Sequence, residues 1–319
     1  MKEIGGYFQL EHLYGAEYHP DLLRLNLGRT ALVYALQTLK VKTLYLPRFI
    51  CDSVTSACEN VEDLKIIWYS IREDFTPILP DVLEADAWVY LINYYGQLTN
   101  ETILSLKEKY PRMIADYTHC FFLRPPEGIP TIYSCRKYFG LPDGAYLSMP
   151  AIPEDFEQLP LDQSKYRMTH ILGRYEQSAS DFYSSMLETA HSFYQEPVKQ
   201  MSLLTQNLLH GIDYAAAMKR RSENYDTMAR ILEDSNPLKL YKGDGPFVYP
   251  FYSPDAQALK KELARQRIFV PTYWNNVIED MPHDTLEWDY AAHIMPLPID
   301  QRYTEEDIRY VAKTLKKLL

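Results

Sequence analysis

Hydrophobic and polar positions run in two periods along the first half of the chain. Leu32, Leu36 and Leu39 recur at helical spacing and predict a helix over 30–39. A short apolar strand at 43–46 is stopped by Pro47, and a helix capped by Asp52 or Ser53 runs to Glu59. Another strand reads at 64–69. The near-continuous apolar run at 87–92 is the pattern of a parallel strand buried on both faces. A helix from Thr99 to Lys109 and strands at 112–115 and 131–134 continue the alternation. Repeated strand–helix–strand units predict an α/β fold with a mostly parallel sheet covered by helices. Ligands on such sheets bind at the carboxyl ends of strands, where Asn93, Asp116 and Ser134 fall.

The second half changes character. Long helices are predicted over 169–195 and 201–234. After Ser235-Asn236-Pro237 come short strands at 247–250 and 268–270, an amphipathic helix at 255–266 between them, and a closing helix at 305–319 capped by Thr304. The expected organisation is a large domain over 1–234, including a long connecting helix, and a smaller C-terminal α/β domain over 235–319.

Composition narrows the class. With 46% hydrophobic and 24% charged residues, the 319-residue chain can bury a substantial core. A formal charge of -10 argues against a nucleic-acid partner. No apolar run reaches membrane-spanning length, so no membrane association is expected. The first residues lack the apolar core of a signal peptide. Cys51, Cys58, Cys120 and Cys135 have neither zinc-type pairing nor disulfide-framework density and read as reduced thiols of a cytoplasmic protein.

The chemistry concentrates in two places. Lys137 follows a strand and precedes the turn Pro142-Asp143-Gly144, while Asp116 ends an apolar run upstream. A lysine that forms a Schiff base and an acid that holds a pyridine nitrogen protonated are how proteins use pyridoxal 5'-phosphate (PLP). Each residue also has a plain reading: a surface lysine in a turn, an aspartate capping a loop. His119 either packs beside the cofactor ring or bonds its 3-oxygen, or is a satisfied core histidine. A phosphate needs backbone donors at a helix start, which Gly28-Arg29-Thr30 offers. There Gly28 permits close approach, Thr30 supplies a hydroxyl, and Arg29 contacts phosphate or points into an ion pair. Ser134 is the other phosphate candidate. Gly5-Gly6-Tyr7-Phe8 and Tyr273-Trp274-Asn275-Asn276 either border a cleft or pack between domains.

In this order the segments resemble the DegT/StrS-type sugar aminotransferases, a PLP fold type I family. Leu27–Leu32, Leu46–Val54, Asn93-Tyr94-Tyr95-Gly96-Gln97, Asp116-Tyr117-Thr118-His119, Ser134–Gly144, Met201-Ser202 with the helix through Asn224, and Leu297–Thr304 are similar to successive family motifs across nearly the whole length. The resemblance implies a seven-stranded-type sheet, Lys137 as covalent anchor and proton shuttle, Asp116 at the pyridine nitrogen, and a homodimer. It also implies an aminotransferase moving nitrogen from an amino-acid donor such as glutamate to a nucleotide-linked keto-sugar, for surface polysaccharide or a glycosylated metabolite. The chain departs from the family at Cys51, where an aromatic ring usually stacks on the cofactor. It departs again at 196–200, where no Asn precedes Met201-Ser202. These departures motivate a second reading, a catalytically degenerate PLP-binding or interaction protein. Sugar dehydratases of the family lack the lysine, so Lys137 counts against them. No dinucleotide, Walker or Gly-x-Ser-x-Gly signature, and no metal-type histidine pair, supports a non-PLP enzyme.

Overall fold

The computed structural model describes residues 4–319. Its strands are β1 (Leu23–Leu25), β2 (Thr43–Pro47), β3 (Lys65–Ile71), β4 (Pro77–Ile78), β5 (Trp88–Ile92), β6 (Met113–Asp116), β7 (Thr131–Ser134), β8 (Ala145–Ser148), β9 (Tyr249–Tyr252) and β10 (Ile294–Leu297). The helices are α1 (Gly28–Thr38), α2 (Asp52–Glu59), α3 (Asn100–Lys109), α4 (Thr169–Glu176), α5 (Tyr183–Ser192), α6 (Leu203–Leu209), α7 (Tyr214–Leu232), α8 (Ala256–Arg265), α9 (Asn275–Asp280), α10 (Leu286–His293) and α11 (Glu305–Leu318).

The large sheet has the order β1-β8-β7-β6-β5-β2-β3-β4. Its centre is parallel (β3, β2, β5, β6, β7), and β8, β1 and β4 add antiparallel edges. The seven-stranded expectation is therefore met with one addition, the two-residue β4 that returns alongside β3. Asp116 ends the central strand β6, paired beside Ile92 and Ile132. Helix α1 begins over this end of the sheet: a Cβ placed on Gly28 would touch Thr118 at 3.6 Å and Ile132 at 3.9 Å.

Two apolar clusters form. The larger joins the sheet, α1 and the aromatic loops after the strands. The smaller joins the end of α7 (Tyr225, Met228, Leu232) to α8, β9, β10 and α11. Helix α11 starts with a reciprocal cap between Thr304 and Asp307, as its sequence predicts.

Three expectations change. The 169–195 helix breaks into α4 and α5 around Ser178–Asp181: Gln177 leaves α4 in an extended conformation (φ -137°, ψ -159°), and Ser178 Oγ donates to Asp181 Oδ2 at 2.8 Å. The 201–234 helix breaks after α6, and the Asp213 side chain accepts from Ala216 N–H to start α7 anew. Residues 268–270 are not a strand. Arg267 takes the left-handed conformation (φ 60°), and Ile268 N–H returns to Leu263 O at 2.9 Å. That places Ile268 in the C-terminal cap of α8, packed in the same cluster as Leu263.

Candidate active site

Strand β7 runs directly into a short turn, Cys135–Lys137, which sets Lys137 at the carboxyl end of the sheet. The turn is fixed from below. Cys135 N–H bonds Gly144 O at 3.1 Å, and Gly144 N–H bonds Asn26 O at 2.6 Å. Gly144 has φ 116°, and a side chain there would press Thr205 at 3.0 Å, so glycine is required. Asp143, fully buried, accepts from Ser202 N–H (2.8 Å), Ser202 Oγ (2.7 Å) and Thr205 Oγ1 at the start of α6. The acid-Gly pair beside the lysine thus anchors a helix.

Many protein atoms crowd around Lys137, yet its side chain stays exposed to solvent at the end of the sheet. Nζ lies 2.9 Å from His119 Nε2 and 3.2 Å from Thr118 Oγ1. Burial pushes the Lys137 amine below the ordinary lysine value, against the pull of Asp116. The open face tempers that effect, and the downward direction is what the geometry supports. Asp116 is 5% exposed. Its Oδ1 accepts from Thr118 N–H at 2.7 Å and its Oδ2 from Tyr90 Oη at 2.7 Å. His119 stacks on Phe247 with centroids 4.5 Å apart, and burial drives its pKa well down.

The start of α1 forms the third part. Its N-cap residue, Leu27, has no side-chain acceptor, and Thr30 Oγ1 answers only the Leu27 N–H, which leaves the N–H groups of the first turn as anion donors. Arg29 lies over the Tyr194 ring (4.9 Å) and Arg136 over the Phe193 ring (4.1 Å). Among the described residues neither arginine has a salt-bridge partner, and Arg29 Nη1 and Arg136 Nε are buried without any hydrogen bond. Burial, with Arg29 as a like charge, lowers Arg136 to about 10. Two under-neutralised guanidiniums beside an uncapped helix start suit a phosphate. The amine, the carboxylate and this cradle together are the donor set that PLP requires, so the residues fit that group.

Other expected site residues fall differently. The Thr30 hydroxyl is committed to its own helix start, 2.6 Å from Asn26 Oδ1 and accepting from Leu27 N–H at 3.2 Å, rather than free for an anion. Gly28 is not sterically demanded, because an added Cβ would make ordinary contacts only. Ser134 ends β7 half-buried, and its hydroxyl does not cap the following turn. Cys51 begins α2 with Sγ 3.0 Å from Ser53 Oγ and offers no ring, although it lies near Lys137 and Arg29. Asn93 closes its own loop through Leu98 N–H and O. Trp274, in the left-handed conformation, packs on Phe49 at 4.3 Å, and Asn276 bonds Ile50 O at 2.9 Å, so this segment covers the loops beside the cleft. Tyr7 and Phe8 are almost fully exposed. The residues 196–200 that lack an Asn carry Glu196 and Lys199, which with Asp162 and Arg167 form an internal ion-pair network. Sequence reasoning missed Tyr90, Thr118, Arg136, Tyr194 and Phe247. Arg136, next to Lys137, and Thr118, between Asp116 and His119, carried a local signal; the other three did not.

No protein-family model matches the chain, and no curated protein matches it. Solved structures do. The chain resembles S. venezuelae DesV in complex with a ketimine intermediate (TM-score 0.66, 13% identity, covering 97% of this chain and 90% of that one). It also resembles the PLP form of Spr1654 from Streptococcus pneumoniae, a sugar aminotransferase by its description (0.65, 13%, 98% and 94%). A DegT DnrJ EryC1 StrS aminotransferase from Brucella abortus matches as well (0.61, 13%, 93% and 85%). The chain has the fold of the DegT/StrS-type aminotransferases.

Proposed function

We propose that this protein is a PLP-dependent aminotransferase acting on a keto-sugar, with a nucleotide-linked sugar as substrate class and an amino acid such as glutamate as donor. The observation that carries the reading is the convergence of Lys137, Asp116 and the α1 arginine cradle at the carboxyl ends of β6 and β7. The likeness to DesV and Spr1654 supports it through the fold. PLP, when bound, supplies an electron sink for the carbanion formed at the substrate carbon. Lys137 would supply the amine that holds the cofactor and, as a free amine, would carry the proton at the substrate carbon. Asp116 would face the ring nitrogen, and its two donors, Tyr90 Oη and Thr118 N–H, hold the carboxyl group in one orientation. Arg29, Arg136 and the α1 N–H groups hold phosphate. Tyr273 and Asn275, beside Trp274, border the substrate side. We further propose a cytoplasmic homodimer with large (1–234) and small (235–319) domains, as the resemblance implies.

A second reading, cofactor binding without turnover, is favoured by Cys51 offering no stacking ring. An absorbance spectrum with added PLP, repeated after L-glutamate and with Lys137→Ala, separates the readings. A visible band absent from Lys137→Ala and bleached by glutamate supports the aminotransferase. A band that neither glutamate nor other amino donors bleach supports binding alone. Absence of any band overturns the PLP assignment.

A further inference from the structure

We infer that His119 is a positioning residue for Lys137: the Tyr95 backbone locks it as the Nε2–H tautomer, and it donates to Nζ and holds Lys137 as a free amine. The chemical use of that amine rests on the function proposed above; the hydrogen-bond inventory does not.

One donor in this set cannot reverse. Tyr95 N–H points at His119 Nδ1 at 3.2 Å. A backbone N–H only donates, so Nδ1 must present its lone pair, and the neutral ring carries its hydrogen on Nε2. Nε2 lies 2.9 Å from Lys137 Nζ. An ammonium has no lone pair to receive that hydrogen; a neutral amine has one. A remaining amine hydrogen then reaches Thr118 Oγ1 at 3.2 Å. Every polar atom in the set is satisfied with Lys137 neutral. With Lys137 charged, either two hydrogens collide at Nε2 or the ring shifts its hydrogen to Nδ1, against Tyr95 N–H.

The surroundings hold this arrangement. Tyr95 sits in the turn Tyr94–Gly96 with φ 54°, closed by Gly96 N–H to Asn93 O at 3.2 Å. The His119 ring is kept flat against Phe247, 21° from parallel. The groups facing Lys137 oppose one another. Asp116, Cys51 and Cys120 favour the ammonium, whereas burial and Arg136 favour the amine, with burial the largest. Burial is the main cause that keeps the His119 ring neutral, and an ammonium at Lys137 would disfavour a protonated ring further, so ring and amine do not carry charge together.

The test uses the full-length, cofactor-free protein. Lys137 is labelled competitively with acetic anhydride across a pH series and its peptide is quantified by mass spectrometry, in the wild type and His119→Phe. In the wild type, half-reactivity is expected below the ordinary lysine value of about 10.4. In His119→Phe the amine loses its donor, and the midpoint is expected to rise by about one unit. An unchanged or lowered midpoint overturns the inference, because a His119 that accepted from an ammonium would give that sign. Independently of whether the variant folds, ¹⁵N NMR of the wild-type imidazole should show the Nε2–H tautomer at pH 7. An Nδ1–H or doubly protonated ring overturns it. Absence of a PLP band alongside the expected midpoints and tautomer would refute only the proposed function. A PLP band alongside the wrong tautomer would refute only this inference.

Discussion

Tyr90 donates its hydroxyl hydrogen to Asp116 Oδ2 across 2.7 Å, from β5 to the end of β6. The two strands pair Tyr90 with Ile114, so Asp116 is Tyr90's diagonal neighbour on the same face. Tyr90→Phe keeps the ring in the core and removes one donor from a buried carboxylate. Chemical denaturation should show a loss of about 1.5–3 kcal/mol, the usual worth of a hydrogen bond to a charged group. A loss below about 0.5 kcal/mol would mean that Asp116 is not held by this contact.

Arg136 is the cleanest probe of the anion cradle, since its Nε is buried without a partner. Arg136→Met should weaken PLP binding by about ten-fold or more while leaving pyridoxal, which lacks the phosphate, nearly unchanged. Equal losses for both compounds would place Arg136 outside the phosphate contact. Paired spectroscopic titrations measure this.

His19 provides a pH dependence away from the cleft. It is buried, its Nε2–H donates to Phe121 O at 2.7 Å, and burial lowers its pKa to about 4. Between the unfolded value of about 6.5 and that value the unfolded chain binds more protons, so stability falls as pH drops through this window. In His19→Phe the stability difference between pH 7 and pH 4.5 should shrink. An unchanged pH slope would rule His19 out as a source of acid sensitivity.

Arg221 is 1% exposed and bonds Gln301 Oε1 (2.7 Å), Pro246 O (3.1 Å), Phe247 O (3.0 Å) and Tyr138 O (3.2 Å). It lies 4.4 Å over the Tyr138 ring, one residue beyond Lys137. Arg221→Met should cost about 3 kcal/mol or more, because several carbonyls lose their donor at once. Arg221→Lys should recover only part of it, lacking the planar fork. Thermal unfolding of the two variants orders them.

The legible part of this molecule was local. Strands β2, β5 and β7 announced themselves through continuous apolar runs, and strand ends then located Asp116 and Lys137. Strands β1 and β8, Leu23–Leu25 and Ala145–Ser148, did not; both are antiparallel additions at one edge, outside the strand–helix–strand alternation that reveals the others. The helix break at Asp213 depends on a side chain choosing a local backbone partner over a helical one. Within the site, Tyr90, Tyr194 and Phe247 arrive from distant positions, and no spacing in the chain encodes such encounters. The fate of Thr30 was hidden for the opposite reason: its partners Asn26 and Leu27 are adjacent, and a hydroxyl at a helix start suits a cap and a phosphate equally.

Helix α7 places Tyr214 and Ala217 in the larger apolar cluster and Tyr225, Met228 and Leu232 in the smaller, with Arg221 between them. One rod therefore serves as the wall of both interiors. A cut after Asp234 would strip the partners from the apolar face of its last two turns and leave the guanidinium of Arg221 without its Phe247 and Gln301 partners. The fragment 1–234 should aggregate rather than fold, and calorimetry of the intact chain should give one melting transition, not two. The two interiors are distinguishable as packing but inseparable as thermodynamics.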